Sequence, residues 1–475
     1  LAIAAISTDS GDSDKDFITN DTTLTVRGST QNLAAGQRVQ ISVDGGATWR
    51  DATVAADGQW SFQDPIVHTG NFTYQARVVD ASTAVLVTAS QAVVVDTHAS
   101  GNSDGVFVTI TGLSDNVAPV EGPVANGGFT NDTSPTLSGN LTGPLAAGEV
   151  IAIFRNDVRV GTATLAGGSW TFTDGGLADA SYTYEARVVD VAGNQGAKSA
   201  AYAVTVDTQA PNATTETISN LTITDDTGES ATDFITSDTS LTVSGTHSAA
   251  SGSTIQVSTD GGATWVDATI TGTTWSYVDP ATHGTSFTYS VRVVDAAGNI
   301  GITYNQPITI DTTAPAAAET VAITAITTDT GSSASDFVTS DTSLTVSGTN
   351  AALTAGHKIQ VSSDGGVTWA DATVTGTTWT YTDPANHATS FSYQARVVDL
   401  AGNVGQTATQ AVTIDTTAPT AAETVSIDAI TNDSGTAGDF ITNDATLIVS
   451  GSNAALVAGS KIQVSADGVT WTDVT

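Results

Sequence analysis

The chain has 475 residues, no cysteine and no methionine, and 49 acidic against 13 basic side chains, for a formal charge of −36. That length is several domains by the usual size rule, and the missing cysteine excludes disulfides, thiolate metal sites and catalytic thiols. The acidic surplus repels nucleic-acid phosphates and anionic membrane surfaces, so neither is expected as a partner, and cations are the natural counterpart.

Hydrophobic residues make up 40%, rich in Val, Ala and Ile, with abundant Thr and Ser. This is the composition of half-buried β-strands rather than of a disordered acidic tail. No stretch approaches the roughly 18–20 apolar residues of a membrane span, so no membrane insertion is expected. Leu1 opens the chain without a basic n-region or cleavage site, so the sequence reads as an internal piece of a longer protein.

From the N terminus, one set of phrases returns about every hundred residues. "RVVD" ends at Asp80, Asp190, Asp295 and Asp399, and "DGG-x-TW" ends at Trp49, Trp265 and Trp369. "DT-x-AP" starts at Asp207, Asp311 and Asp415, two steps of 104 residues, with a weaker "DTHAS" from Asp96. The repeats therefore run 1–98, 99–211, 212–315 and 316–419, with an incomplete fifth over 420–475. A period near 100 is too long for a solenoid or propeller blade and suits one whole sandwich domain.

Repeat 4 shows the elements most clearly: "TVAITAIT", "TSLTVSG", "HKIQVSSD", "TWADATVTG", "TWTYTD", "FSYQARVVD" and "TATQAVTID". These predict about seven short strands of period two between Gly, Asp, Asn and Pro turns, and no segment keeps a helical period. The predicted fold is all-β, a tandem of immunoglobulin-like β-sandwich domains of about 104 residues arranged as an elongated rod. Trp369, Trp379, Tyr381, Phe391 and Tyr393, matched by Trp265, Trp275, Tyr277, Phe287 and Tyr289, are expected to pack the cores. Repeat 5 stops before its last three strands and is expected to need more chain, its own or another's, to close.

Strand order places the acidic phrases at the poles. The "D-x-A-G-N" loop after the sixth strand falls at the N-terminal pole, whereas the linker Asp and the loop after the first strand fall at the C-terminal pole. Each junction should therefore gather oxygens from two domains. Between repeats 3 and 4 these are Asp226, Asp233 and Asp238, the linker Asp311, and Asp399 with Asn403. The equivalents elsewhere are Asp96, Asp190, Asn194, Asp207, Asp295, Asn299, Asp329, Asp336, Asp341 and Asp415, with Asp433, Asp439 and Asp444 in repeat 5. Six or more hard oxygens on short glycine-bearing loops suit Ca²⁺, less so Mg²⁺, and offer no nitrogen or sulfur for Zn²⁺ or redox metals. The alternative is that such residues are ordinary turn formers, Asp433 and Asp439 merely capping a long turn. Repeat 1 lacks the Gly-Asn pair after Asp80, and repeat 2 keeps only Asp132 in its first long loop, so both sites are expected to be poorer.

Other chemistry finds little support. "SVDGGATW", 42–49, matches the Asp-box hairpin of sialidases, recurring at Ser258–Trp265, Ser362–Trp369 and, shortened, Ser465–Trp471. A tight turn explains it, and Asp-boxes lie remote from catalysis. His68, His283 and His387 stand one per repeat and cannot converge on one metal. No nucleophile triad, phosphate loop or cleft carboxylate pair is present, so catalysis is not expected.

The combined phrases "DFITNDTTLTV", "DGG-x-TW", "ARVVD-x-AGN-x-G" and "VTIDTTAP" resemble the bacterial immunoglobulin-like repeats of giant surface adhesins. These include the biofilm-associated protein group and the large type-1-secreted, RTX-type adhesins. The resemblance implies secretion to the cell surface, a long stalk serving adhesion and biofilm formation, and Ca²⁺ at the linkers. Neighbouring repeats are then the main partners. Self-association with identical chains on other cells is the second expectation, since sandwiches expose edge strands, and glycan binding a third.

Overall fold

The computed structural model describes residues 1–31, 33–100, 105–331 and 333–474, and among these no helix occurs. Repeat 1 contains nine strands: β1 Ala2–Ile6, β2 Ile18–Thr19, β3 Thr25–Ser29, β4 Arg38–Ser42, β5 Arg50–Asp51, β6 Thr53–Val54, β7 Gln59–Gln63, β8 Phe72–Val79 and β9 Val85–Val95. They form one sheet in the order β1-β3-β7-β6 and a second in the order β2-β9-β8-β4-β5. All pairs are antiparallel except β2 with β9, where Ile18 and Thr19 run parallel to Val94 and Val95. The same two sheets recur in repeats 2, 3 and 4, with an added Gly122–Val124 edge strand in repeat 2. The chain is thus the tandem of immunoglobulin-like sandwiches expected, with two-residue strands that sequence patterning is too coarse to separate.

Alternation produces the sandwich. Along β8, Tyr74, Ala76 and Val78 turn inward while Gln75 and Arg77 turn out, as a pleat of period two requires. Repeats 1 to 4 each close a core around a buried tryptophan: Trp60, Trp170, Trp275 and Trp379. The indole packs against a strand glycine. A Cβ on Gly348 would stand 2.5 Å from the Trp379 ring and 1.9 Å from the Ala322 carbonyl, so only glycine fits. Trp265 and Trp369 differ from expectation, and Trp49 is placed as they are. They lie half-buried on the outer face, each under an arginine guanidinium 3.9 Å from the ring. The Asp-box explains this, because Asp44, Asp260 and Asp364 hold the hairpin through the Thr48, Thr264 and Thr368 amides and direct the indole outward.

The "D-P-x-x-H" phrase has a structural use. In repeat 4 the buried Asp383 accepts hydrogen bonds from the Tyr393 hydroxyl at 2.9 Å, the Ala385 amide at 2.9 Å and His387 Nε2 at 2.9 Å. Repeats 1 and 3 repeat it with Asp64 and Asp279, while repeat 2 substitutes Arg155 on Asp174. Burial raises the Asp383 carboxyl, but the three donors outweigh it and hold the group below its ordinary value. A depressed carboxylate stabilises fully above its unfolded pKa of about 3.9 and loses that as pH falls through the folded value. Asp383→Ala, which strands the tyrosine hydroxyl, is expected to cost repeat 4 about 1–3 kcal/mol, read by calorimetry at neutral pH.

Residues 420–474 form two two-stranded pairs, Val425–Ile430 with Val449–Asn453 and Gln463–Val464 with Thr472–Asp473. Side chains that are interior in the other repeats stand open there, Val425 at 62% and Ile427 at 60%.

Candidate functional site: the domain junctions

The loop after the first strand has one construction in repeats 1, 3, 4 and 5. The residue before its leading aspartate is left-handed: Thr8, Asp225, Thr328 and Asn432 have φ between 51° and 56°. The leading aspartate then reaches along the loop. Asp9, Asp226 and Asp329 Oδ2 accept the amides of Phe17, Phe234 and Phe337 at 3.0–3.1 Å, and Asp433 accepts that of Phe440 at 3.4 Å. Those phenylalanines also have positive φ, 61–62°, a strained state for an aromatic residue that the carboxylate helps to hold. Asp233, Asp336 and Asp439 cap the next turn through the amides of Ile235, Val338 and Ile441. Asp238, Asp341 and Asp444 do the same for Ser240, Ser343 and Thr446.

One oxygen is left over each time. Oδ1 of Asp9, Asp226, Asp329 and Asp433 is shielded from solvent and has no hydrogen-bond partner. A carboxylate oxygen in that condition is costly unless a cation or donor meets it. Burial and the nearby Asp16 and Asp14 push the Asp9 carboxyl above its ordinary value. Burial and Asp233 do so for Asp226.

The facing loop of the next domain is built differently. Asp190 Oδ1 accepts the amides of Ala192 and Asn194, both at 2.9 Å, and Asn194 Nδ2 donates to Asp190 Oδ2 at 2.9 Å. The same amide group donates across the junction to the Asp96 carbonyl at 2.9 Å. Asn299 donates to the Asp207 carbonyl and Asn403 to the Asp311 carbonyl, both at 2.8 Å, while latching onto Asp295 and Asp399. The linker aspartates Asp96, Asp207 and Asp311 therefore meet the next domain through their main-chain oxygen. Their side chains, like that of Asp415, accept an amide two residues on.

The strand argument places the poles as the structure does: Ser10 Oγ of repeat 1 donates to the Ala192 carbonyl of repeat 2 at 2.5 Å, and Thr227 Oγ1 of repeat 3 to the Ala401 carbonyl of repeat 4 at 2.6 Å. These hydroxyls were not legible as junction residues, since "D-S-G" and "D-T-G" read as turns. Among the described residues no three His, Asp or Glu side chains stand together as a metal cage. A cation here would draw on the free aspartate Oδ1 together with hydroxyl and carbonyl oxygens, a hard-oxygen set that fits Ca²⁺ and no softer ion. In repeat 2, Asp115 joins Asp132 in the loop, and both carboxylates are fully used by Val117, Thr130, Asn116 and Ser134. In repeat 1, Ala84 stands where the other repeats have Asn, and Asp80 turns on Ser82 and Ala84 alone.

The sequence profile of the bacterial Ig-like domain matches residues 2–97, 121–208, 212–312 and 316–416. The chain belongs to this family. Among curated proteins these bacterial Ig-like repeats are similar to exoglucanase B of Cellulomonas fimi, 30% identical over 380 residues, 76% of this chain and 32% of that protein. Chitinase A1 of Niallia circulans is 36% identical over 173 residues, 36% of this chain and 23% of that protein. The chain thus spans about a third or less of these relatives' lengths. Solved structures matched include one from a 1.5-MDa bacterial ice-binding adhesin, at 22% identity, covering 65% of this chain and 98% of that one with a TM-score of 0.24. The BSP domain of a biofilm associated protein matches at 10% identity over 88% and 97% of the two chains, TM-score 0.16. No helix among the described residues is long and apolar enough to cross a membrane.

Proposed function

We propose that this chain is a stalk segment of a large bacterial surface adhesin, stiffened by calcium at its domain junctions outside the cell. The observation that carries this reading is the shielded, unpartnered Oδ1 that recurs at Asp9, Asp226, Asp329 and Asp433, in the same loop of each repeat, which in repeats 1 and 3 bonds to the next domain. Bound Ca²⁺ would supply the positive charge those oxygens lack. The chain's own residues set the geometry: Asp226 holds its loop through Phe234, Asn403 holds the linker, and Thr227 ties the two domains. In cytoplasm, where free calcium is low, the acidic junctions would lack this added stiffening, which suits a chain that is exported before it becomes fully rigid. The repeats then act mechanically and carry no catalysis of their own.

The exoglucanase and chitinase relatives favour a second setting, in which the same repeats space the modules of a secreted polysaccharide-degrading enzyme. The spacer role is common to both settings.

Small-angle X-ray scattering of the chain in about 1 mM calcium and in excess chelator tests the proposal. A maximum dimension that is longer and more narrowly bounded with calcium than in chelator is the expected result. Identical curves would remove calcium from the account, and mass growing with concentration would favour self-association.

A further inference from the structure

The three complete junctions are not built alike. At the first, Gly11 of repeat 1 is pressed so closely against repeat 2 that a Cβ there would lie 2.0 Å from the Val191 carbonyl. Gly193 meets it from the other side, its Cβ position 2.8 Å from the Gly11 nitrogen. The Arg159 guanidinium of repeat 2 also pairs with Asp12 of repeat 1. The third junction repeats this plan. A Cβ on Gly228 would lie 1.9 Å from the Leu400 carbonyl, and one on Gly402 would lie 2.9 Å from the Gly228 nitrogen. The Glu229 amide donates to the Leu400 carbonyl at 3.3 Å, and Lys358 of repeat 4 pairs with the Glu229 carboxylate at 3.5 Å. Gly11 and Gly228 have φ of +99° and +97°, so these clasps depend on glycine twice, for conformation and for approach.

The middle junction has none of this. The repeat 2 loop follows a different course through the added Gly122–Val124 strand. It offers Gly298 of repeat 3 only the half-exposed Val120 side chain, 3.2 Å from the Cβ position, with Asn131 Nδ2 at 3.5 Å. Among the described residues no hydrogen bond or ion pair runs from this loop to repeat 3, and the joint keeps only the Asn299 bond to the Asp207 carbonyl. The loop also lacks the shielded, unpartnered aspartate oxygen of the others: Asp115 and Asp132 are both fully partnered, and its remaining carboxylate, Glu121, is exposed.

We infer that the chain is an articulated rod: repeats 1 and 2 form one clasped pair, repeats 3 and 4 another, and the joint between repeats 2 and 3 is a built-in hinge. Small polar interfaces between domains leave relative motion as the default, and only the clasped ones escape it. The inference deepens the stalk reading but does not rest on calcium, because every clasping contact named is made by the chain itself.

The chain has no cysteine, so spin labels can be placed freely at Thr53→Cys, Thr164→Cys, Thr269→Cys and Thr373→Cys, exposed equivalent positions on one edge strand of each repeat. Pairwise labelling and electron–electron distance measurement in chelator are expected to give a distribution for repeats 2–3 about twofold broader than those for repeats 1–2 and 3–4. Gly228→Ala should broaden repeats 3–4 to match, leaving repeats 1–2 unchanged. Glu229→Lys, an exposed change that cannot unfold a domain, should broaden it in the same direction. A repeats 2–3 distribution no wider than the other two overturns the inference. Calcium added afterwards tests the stalk reading separately, since loss of any calcium effect leaves the widths in chelator as they were.

Discussion

Trp379→Ala should split the melting curve of the chain, releasing repeat 4 as a separate transition more than ~10 °C below the rest. Removing a buried aromatic costs about 3–5 kcal/mol, a large share of the roughly 5–15 kcal/mol that holds one domain together. Trp379 is 1% exposed, and its Nε1 has no hydrogen-bond partner, so it contributes by packing alone. Trp379→Phe, which keeps a ring against Gly348, should therefore lose less than the alanine variant. Differential scanning calorimetry reads both, and an unsplit curve for Trp379→Ala would show that the indole is not the centre of that core.

The second large effect concerns Asp226. Its Oδ1 is unpartnered, and burial with the neighbouring Asp233 raises its carboxyl above the ordinary range. A raised carboxyl penalises the folded state above its folded pKa, and the penalty disappears as pH falls through that value. In chelator, Asp226→Asn should thus leave repeat 3 as stable as before or more so, because the amide oxygen can still accept the Phe234 N–H. In calcium the order reverses. With a dissociation constant near 10 µM and about 1 mM free ion, the native junction gains about 2.7 kcal/mol, which the asparagine variant forfeits. Protons compete for the same oxygen, so the calcium increment should weaken as the medium is acidified. Melting temperatures of both proteins with calcium and with chelator decide the matter. A native chain indifferent to calcium, or a variant that keeps the full increment, would sink the reading.

The architecture was legible because it is written in quantities that a sequence carries directly. Val-rich alternation such as "FSYQARVVD" sets which side chains turn inward, and repeated phrases such as "DTTAP" mark where a domain ends. The poles followed from strand parity alone, which is why Asp311 and Asn403 could be expected to meet. What could not be read was donor from acceptor. Asn403 was expected to lend an oxygen, yet its amide nitrogen faces two oxygens, of Asp399 and Asp311. The clasping roles of Thr227 and Gly228 were equally hidden, because they depend on a partner 174 residues away. Trp369 was misplaced because hydrophobic patterning does not distinguish an indole in a core from one lying under Arg396 on the surface.

The parallel pairing of β2 with β9 has a consequence for load. Pulling the chain by its ends draws the entry strand toward one pole and the exit strand toward the other. The bonds from Val94 N to Phe17 O and from Asp96 N to Thr19 O, both 2.9 Å, then lie across the direction of sliding. Repeat 3 sets Thr309 and Asp311 against Phe234 and Thr236, and repeat 4 sets Thr413 and Asp415 against Phe337 and Thr339. Such a patch yields in shear, all bonds at once, rather than unzipping one by one. Forced rupture is governed by the unfolding barrier rather than by equilibrium stability. A tether of modest thermal stability can therefore still hold against a sudden tug.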